Sequence, residues 1–237
     1  MSYSTLAKYY DALMTDFDYD GYEAFIAERV RKGKGLDLAC GSGEMTVRLK
    51  KRGFDVDGAD FSPEMLNSAV EKAKKHRLHI CFYIADLNNL KIEKGYDFVT
   101  VVCDGFNYVS NGNKLKKAFE AIYGALADGG VFIFDISTSH KLKNVLGSNL
   151  FYEDNENLTY FWQNTDRGNS VDMELTFFEK QKDGLYLRSD ELQTQYAYSD
   201  DFVCGALTET GFRFTAFNER FENYKQGDNR LIIYAEK

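Results

Sequence analysis

Apolar positions in the first thirty residues recur at helical spacing. Leu6, Tyr9, Tyr10, Leu13 and Met14 form one set and Tyr22, Phe25, Ile26 and Val30 another, which predicts two short amphipathic helices. The period then changes. Leu36-Asp37-Leu38-Ala39 reads as a short buried strand that breaks into Cys40-Gly41-Ser42-Gly43. A helix follows over 44–51, with Val47 and Leu49 inward, Lys50-Lys51-Arg52 on its last turn and Gly53 as its stop. Further strands are predicted over 54–59, 79–84, 97–102 and 131–136, ending near Asp60, Asp86, Cys103-Asp104 and Ile136. One helix between them has Ser62 as N-cap and Pro63 in its first turn, with Met65, Leu66, Ala69, Val70 and Ala73 on one face. Another runs over 114–126 and is stopped by Asp128-Gly129-Gly130.

Strand and helix alternate through five strands, the pattern of a parallel sheet covered on both faces. The alternation stops near residue 141. Strand-like runs at 158–162, 171–178 and 186–198, with a hairpin signal at Asp183-Gly184, predict an antiparallel insertion after strand five. Ser199 caps a last helix carrying Phe202, Val203, Ala206 and Leu207, and two strands, 212–217 and 231–235, close the chain. The expected fold is α/β: a Rossmann-like, seven-stranded, mostly parallel sheet with an N-terminal helical segment. Its core comprises 1–140 and 199–237, with 141–198 as a β cap over the substrate cleft.

Composition narrows the function classes. The 237 residues carry a formal net charge of −8, so a polyanion would meet an opposing average field. The two basic clusters, Arg29-Val30-Arg31-Lys32 and Lys72-Ala73-Lys74-Lys75-His76-Arg77, are placed at helix C-termini, where cations suit the dipole. Nucleic acid is therefore not the expected partner. Four cysteines without CxxC spacing fit a reducing, cytoplasmic setting and offer no metal motif. No signal peptide or bilayer-length apolar run is visible, so no membrane association is expected.

The glycine turn suits a ligand, because Gly41 and Gly43 permit sharp backbone and close approach and the next helix opens with unpaired N–H groups. A dinucleotide fingerprint would need a small residue where Thr46 stands, and no Walker-type G-x-x-x-x-G-K-[ST] occurs. The combination of Asp37-Leu38-Ala39-Cys40-Gly41-Ser42-Gly43, Gly58-Ala59-Asp60-Phe61-Ser62-Pro63-Glu64-Met65-Leu66 and Ala85-Asp86-Leu87 resembles the class I S-adenosylmethionine-dependent methyltransferases over about 36–136. Ala39 departs from the family pattern, which often has a glycine there.

That resemblance implies S-adenosyl-L-methionine as cofactor. Asp60 would accept from both ribose hydroxyls, and Asp86 and the Leu87 N–H would meet the adenine edge. Phe61 and Met65 would offer apolar surface, and Asp37 would lie near the methionine ammonium. Tyr10, Ala39, Cys40, Ser42 and Cys103 would complete the cofactor site. The opening Lys8-Tyr9-Tyr10-Asp11-Ala12-Leu13-Met14 resembles the entry segment of small-molecule methyltransferases, including amino-sugar N-methyltransferases. In that subgroup a tyrosine matching Tyr10 reaches the active site and a histidine works after strand four, where this chain has Tyr108. Tyr10 and Tyr108 are candidates to orient an acceptor or to pack, and Asp104 is a base candidate or a loop residue. His140 is placed to face the cleft, His76 and His79 at the periphery. Tyr152, Trp162 and Arg188 are candidate cap linings. The expected activity is in-line methyl transfer to O or N of a small molecule by a monomer or homodimer. A tRNA methyltransferase and a non-catalytic cofactor-binding protein are the alternatives. The asparagine/aspartate-Pro-Pro-aromatic motif of amino-methylating nucleic-acid enzymes is missing, since Pro63 is the sole proline.

Overall fold

A computed structural model describes residues 6–31 and 33–237, so Lys32 of the first basic cluster lies outside the described residues. Two helices, α1 (Leu6–Leu13) and α2 (Tyr19–Arg29), precede the first strand. The core then runs β1 (Lys34–Leu38), α3 (Glu44–Lys51), β2 (Asp55–Asp60), α4 (Pro63–Lys75), β3 (Phe82–Ile84), β4 (Tyr96–Val101), α5 (Gly112–Ala125) and β5 (Leu126–Ser137). The insertion is β6 (Leu150–Asp154), β7 (Leu158–Asp166), β8 (Ser170–Lys180) and β9 (Tyr186–Tyr196), and α6 (Asp200–Thr210), β10 (Arg213–Phe217) and β11 (Arg230–Glu236) complete the chain.

The main sheet has seven strands in the order β10-β11-β5-β4-β1-β2-β3. The first five strands are mutually parallel, and β11 is antiparallel to both β5 and β10. Period-two patterning sends successive strand residues to opposite faces. Phe132, Phe134, Leu231 and Ile233 pack with Phe119 and Ile122 of α5 and Leu207 of α6. Ile133 and Ile232 pack with Phe25 and Ile26 of α2 and Leu49 of α3. This two-sided burial explains why these strands read as nearly continuous apolar runs.

The boundaries differ from expectation where packing overrode punctuation. β3 is an edge strand of three residues, because only its end pairs with β2. The Asp128-Gly129-Gly130 stop lies inside β5: α5 ends at Ala125, and the pairing jumps from Tyr96–Leu126 to Phe98–Val131 around the extra residues. Of the first basic cluster, Arg29 ends α2 and Arg31 lies beyond it. The insertion gains β6, an exposed edge with no alternating signal, and a π-helical turn over Lys141–Leu146. Its four strands form a separate antiparallel sheet in sequential order. Val171, Met173, Leu175 and Phe177 of β8 line its inner face and pack on Leu6 and Ala7 of α1 and Leu142.

β1 and β4 are neighbours whose chains leave in opposite directions, and in an open α/β sheet that divergence opens a crevice at the strand ends. The glycine turn lies there. Gly41 and Gly43 have φ of +54° and +77°, and a Cβ on Gly43 would sit 2.7 Å from Ala69 Cβ on α4. Gly43→Ala should therefore destabilise the fold by about 2–4 kcal/mol through backbone strain and overpacking, which urea denaturation would measure.

Candidate active site

Ala39 leaves β1 with φ +51°, the left-handed conformation that explains why a glycine suits this position. The β4 tip approaches closely: a Cβ on Gly105 would lie 2.9 Å from Ala39 Cβ, so Gly105 is what lets the two strand ends meet. Cys40 N donates to Ala59 O at 3.1 Å and Gly43 N to Cys40 O at 2.9 Å, closing the turn against β2.

Two carboxylates hold this backbone. Asp37 is fully buried; its oxygens accept from Thr46 Oγ1 at 2.6 Å and Thr100 Oγ1 at 2.8 Å, joining β1 to α3 and β4. Burial pushes its carboxyl up to about 6, against the lowering effect of both threonines. Asp60, at the end of β2, accepts from Gly41 N at 2.8 Å and Ser62 N at 2.9 Å. Burial raises its carboxyl, and the Ser62 and Gly41 N–H groups oppose the rise. Asp86 follows β3 and caps a single 3₁₀ turn, accepting from Asn88 N at 2.8 Å. Phe61, 45% exposed, presents an apolar face beside Asp60, whereas Met65 is buried in the cluster shared with α1 and the insertion.

Tyr10, Asp37, Ala39, Cys40, Ser42 and Cys103 converge on one small cavity, joined by Tyr19, Glu44, Met45 and Val102. Its volume is about 20 Å³, room for one water. An open, acid-lined depression of about 370 Å³ adjoins it, sharing Tyr19 and Glu44. Burial raises the Cys40 and Cys103 thiols and the Tyr10 phenol, so all three remain protonated near neutral pH.

Beyond β4, Cys103 and Asp104 both have φ +62°. Asp104 Oδ1 accepts from Ser137 Oγ at 2.8 Å and from Arg230 Nη1 at 2.6 Å, and Arg230 also pairs with buried Asp135. Burial opposes ionisation of Asp104, but the Arg230 guanidinium, with Lys141 nearby, outweighs it and holds the carboxyl below its ordinary range. Asn107 stitches this tip to the insertion: Nδ2 donates to Ser137 O at 3.1 Å and Tyr196 O at 3.0 Å, and Oδ1 accepts from Ser137 N at 2.9 Å. Burial pushes the Tyr108 phenol up to about 12, partly offset by a hydrogen bond with Gln195.

Other candidates disperse. His140 is exposed and pairs with Asn144 at 3.0 Å, and His76 and His79 are exposed. Trp162 lies on the inner face of the insertion, opposite Leu175. Tyr152 and Arg188, expected among cap linings, are on the outer face: Tyr152 is 69% exposed, and Arg188 pairs with exposed Asp190. A one-residue change of parity in a strand reverses the face, and a short apolar run does not reveal the parity. Arg230, Asp135 and Gln195 were missed. Arg230 carried one usable signal, an isolated cation opening an apolar strand that ends the chain.

The strand order, the antiparallel β11 and acids at or just beyond the ends of β1, β2 and β3 define a nucleoside-cofactor fold of the class I methyltransferase type. Residues 36–130 match the Methyltransferase domain family. A Geobacillus sp. (strain WCH70) protein described as a methyltransferase is 33% identical over 247 residues, covering 100% of both chains. The crystal structure of an S-adenosylmethionine-dependent methyltransferase from Clostridium acetobutylicum ATCC 824 superposes with a TM-score of 0.88 at 30% identity, covering 96% of this chain and 95% of that one. S-adenosylmethionine-bound CalS10 of Micromonospora echinaspora, an amino pentose methyltransferase, shares the fold at a TM-score of 0.75 and 18% identity, over 96% and 95% of the two chains. The chain belongs to the S-adenosylmethionine-dependent methyltransferase family, and S-adenosylmethionine is its cofactor. Among the described residues no helix is long and apolar enough to cross a membrane, and no cluster of His, Cys, Asp and Glu is arranged to hold a metal.

Because the folded Asp37 carboxyl titrates near 6 rather than near its ordinary 3.8, the native state keeps a proton that the unfolded chain releases. Its contribution to stability therefore falls as pH rises from about 4 to about 6 and is constant above. Asp37→Asn abolishes this titration. The variant's stability relative to wild type should rise by about 2–3 kcal/mol across that window, as read from urea denaturation at several pH values.

Proposed function

We propose that the chain transfers a methyl group to the nitrogen of a small amine, held between the β4 tip and the inner face of the insertion. Residues 141–198 act as the acceptor-selecting cap on a core of 1–140 and 199–237. One observation carries the choice of nitrogen: among the described residues, no group at the β4 tip is both ionised as a base and free. Asp104 is ionised but engaged by Arg230 and Ser137. Tyr10, Tyr108 and Cys103 are kept protonated by burial. A hydroxyl acceptor would need a base to reach useful nucleophilicity, whereas a neutral amine arrives with its lone pair.

The cofactor residues fit a sulfonium nucleoside. Asp60, positioned by two backbone N–H groups, would hold the ribose, with Phe61, Asp86 and Leu87 around the adenine, while Met65 packs beneath in the cluster shared with α1. Asp37, Ala39, Cys40, Gly41, Ser42, Gly43, Tyr10 and Cys103 would surround the methionine end. When bound, S-adenosylmethionine supplies an electrophilic methyl and a sulfur leaving group. The protein aligns the acceptor and excludes water. Tyr10 and Tyr108, as protonated phenols, orient the acceptor through their hydroxyls, and Asp104, fixed by Arg230, sets the loop that carries Tyr108. The amino pentose acceptor of CalS10 agrees with this reading, although that likeness concerns fold alone. The net charge of −8 disfavours a nucleic-acid acceptor, and four free cysteines agree with a cytoplasmic location. The protein acts as a monomer or homodimer.

Release of S-adenosylhomocysteine should be measured with small amines, including amino sugars, and their hydroxyl counterparts. Amines should turn over and hydroxyl analogues should not. The pH inflection of kcat/KM should move with the acceptor's own pKa; an inflection fixed across amines of different pKa would mean that an enzyme base is used. Asp60→Ala should weaken S-adenosylhomocysteine at least tenfold, about 1.4 kcal/mol or more, by calorimetric titration, while Tyr108→Phe should lower kcat and leave that affinity unchanged.

A further inference from the structure

The described part of α1, Leu6–Leu13, spans two turns, and short helical segments depend on packing for their stability. Its first turn has no acidic residue and its last no basic one. The support comes from elsewhere in the chain. Glu191, on the inner face of β9 and 9% exposed, accepts from the Leu6 N–H at 2.8 Å. Its other oxygen accepts from Gln193 Nε2 at 2.5 Å, and it has no cationic partner among the described residues. Lys8 Nζ donates to Glu179 at 2.6 Å, and the Tyr9 ring stacks on Phe177 with centroids 5.2 Å apart. At the opposite end, Asp11 accepts from Ser42 Oγ at 2.5 Å and Lys72 Nζ at 3.0 Å. Tyr10, between these anchors, lies over the glycine turn: a Cβ on Gly41 would be 3.8 Å from its ring. α1 is thus a strap from the insertion to the cofactor turn. Tyr10 forms part of the wall of the small cavity beneath the strap, together with Ala39, Cys40 and Ser42 of the turn.

We propose that Glu191 is a positioning residue that caps α1 from the insertion, sets Tyr10 against the glycine turn and thereby controls cofactor retention. A buried carboxylate is costly unless its acceptor sites are filled, and here a helix N-terminus fills one, with the favourable sign of the helix dipole. The two halves of the reaction are linked by this contact: the strand that faces Tyr108 across the cleft also holds the helix that closes over the cofactor side. The inference rests on the assignment of Tyr10 to the cofactor site.

The test uses the full chain with S-adenosylhomocysteine as probe, its dissociation rate followed by stopped-flow competition. Glu191→Ala should speed dissociation about tenfold, the range expected for loss of a helix cap. Amide exchange over residues 6–13 should quicken as well. Glu191→Gln retains an acceptor oxygen for the Leu6 N–H and should restore the rate to within about threefold of wild type. Asp11→Ala removes the opposite anchor at an exposed position and should speed dissociation without unfolding the chain. A purely structural role for Glu191 would lower Tm and leave the dissociation rate alone, which would overturn the proposal. Tyr10→Ala separates the two ideas. If it speeds dissociation and Glu191→Ala does not, the proposal fails and the cofactor site stands. If neither variant changes the rate, the assignment of Tyr10 fails and the proposal with it.

Discussion

A buried carboxylate bridging two threonine hydroxyls is the contact on which the rest of the site depends. Asp37, the penultimate residue of β1, reaches Thr46 on α3 and Thr100 on β4. Asp37 and Thr100 are direct partners in the β1–β4 ladder, so the Asp37 hydrogen bonds tie β1, β4 and α3 together just before the turn. Ionising a carboxyl without a cationic partner in a dry site is unfavourable. In the turn that follows, Ala39 is left-handed and Asp60 accepts from the Gly41 and Ser62 amides. A turn built this way keeps its carboxylates in place.

The β4 tip works by a different balance. Arg230 arrives from the last strand of the chain and serves two acids, Asp104 and Asp135. Such buried groupings contribute little net stability, because desolvation offsets the attraction, but they tolerate few alternative geometries. Their effect here is to hold the Cys103-Asp104 backbone left-handed and to hand Tyr108 to the cleft in one orientation. Asn107 adds the connection to β5 and β9. The titratable groups of this tip are committed to structure or kept neutral.

The insertion adds the third constraint. Its inner face is apolar along β8 but polar along β9, where Glu191, Gln193 and Gln195 alternate inward. The apolar half seats α1; the polar half faces Tyr108 and caps the same helix. One sheet therefore contacts both Tyr108 and α1.

Much of this was legible in the linear chain because the physics behind it is local. Strand and helix periods, the Ser62–Pro63 helix start, the Asp183-Gly184 hairpin and the glycine turn each follow from the preferences of neighbouring residues, and the alternation of strands and helices implies the doubly wound sheet. Asp37, Asp60 and Asp86 were readable as a set because parallel strands bring their C-terminal ends to one edge. The partners of those residues were not. Arg230 meets Asp104 across 126 positions and Glu191 meets Leu6 across 185, and no local pattern encodes a contact of that separation. The facing of Tyr152 and Arg188 depended on strand parity, and the commitment of Asp104 to an ion pair depended on a strand that returns antiparallel beside β5. The sequence by itself determined the architecture and the methyl donor, through periodicity and acids placed at strand ends. Only the tertiary structure decided which side chains are buried, paired or neutral, because those states are set by neighbours that the chain supplies from a distance.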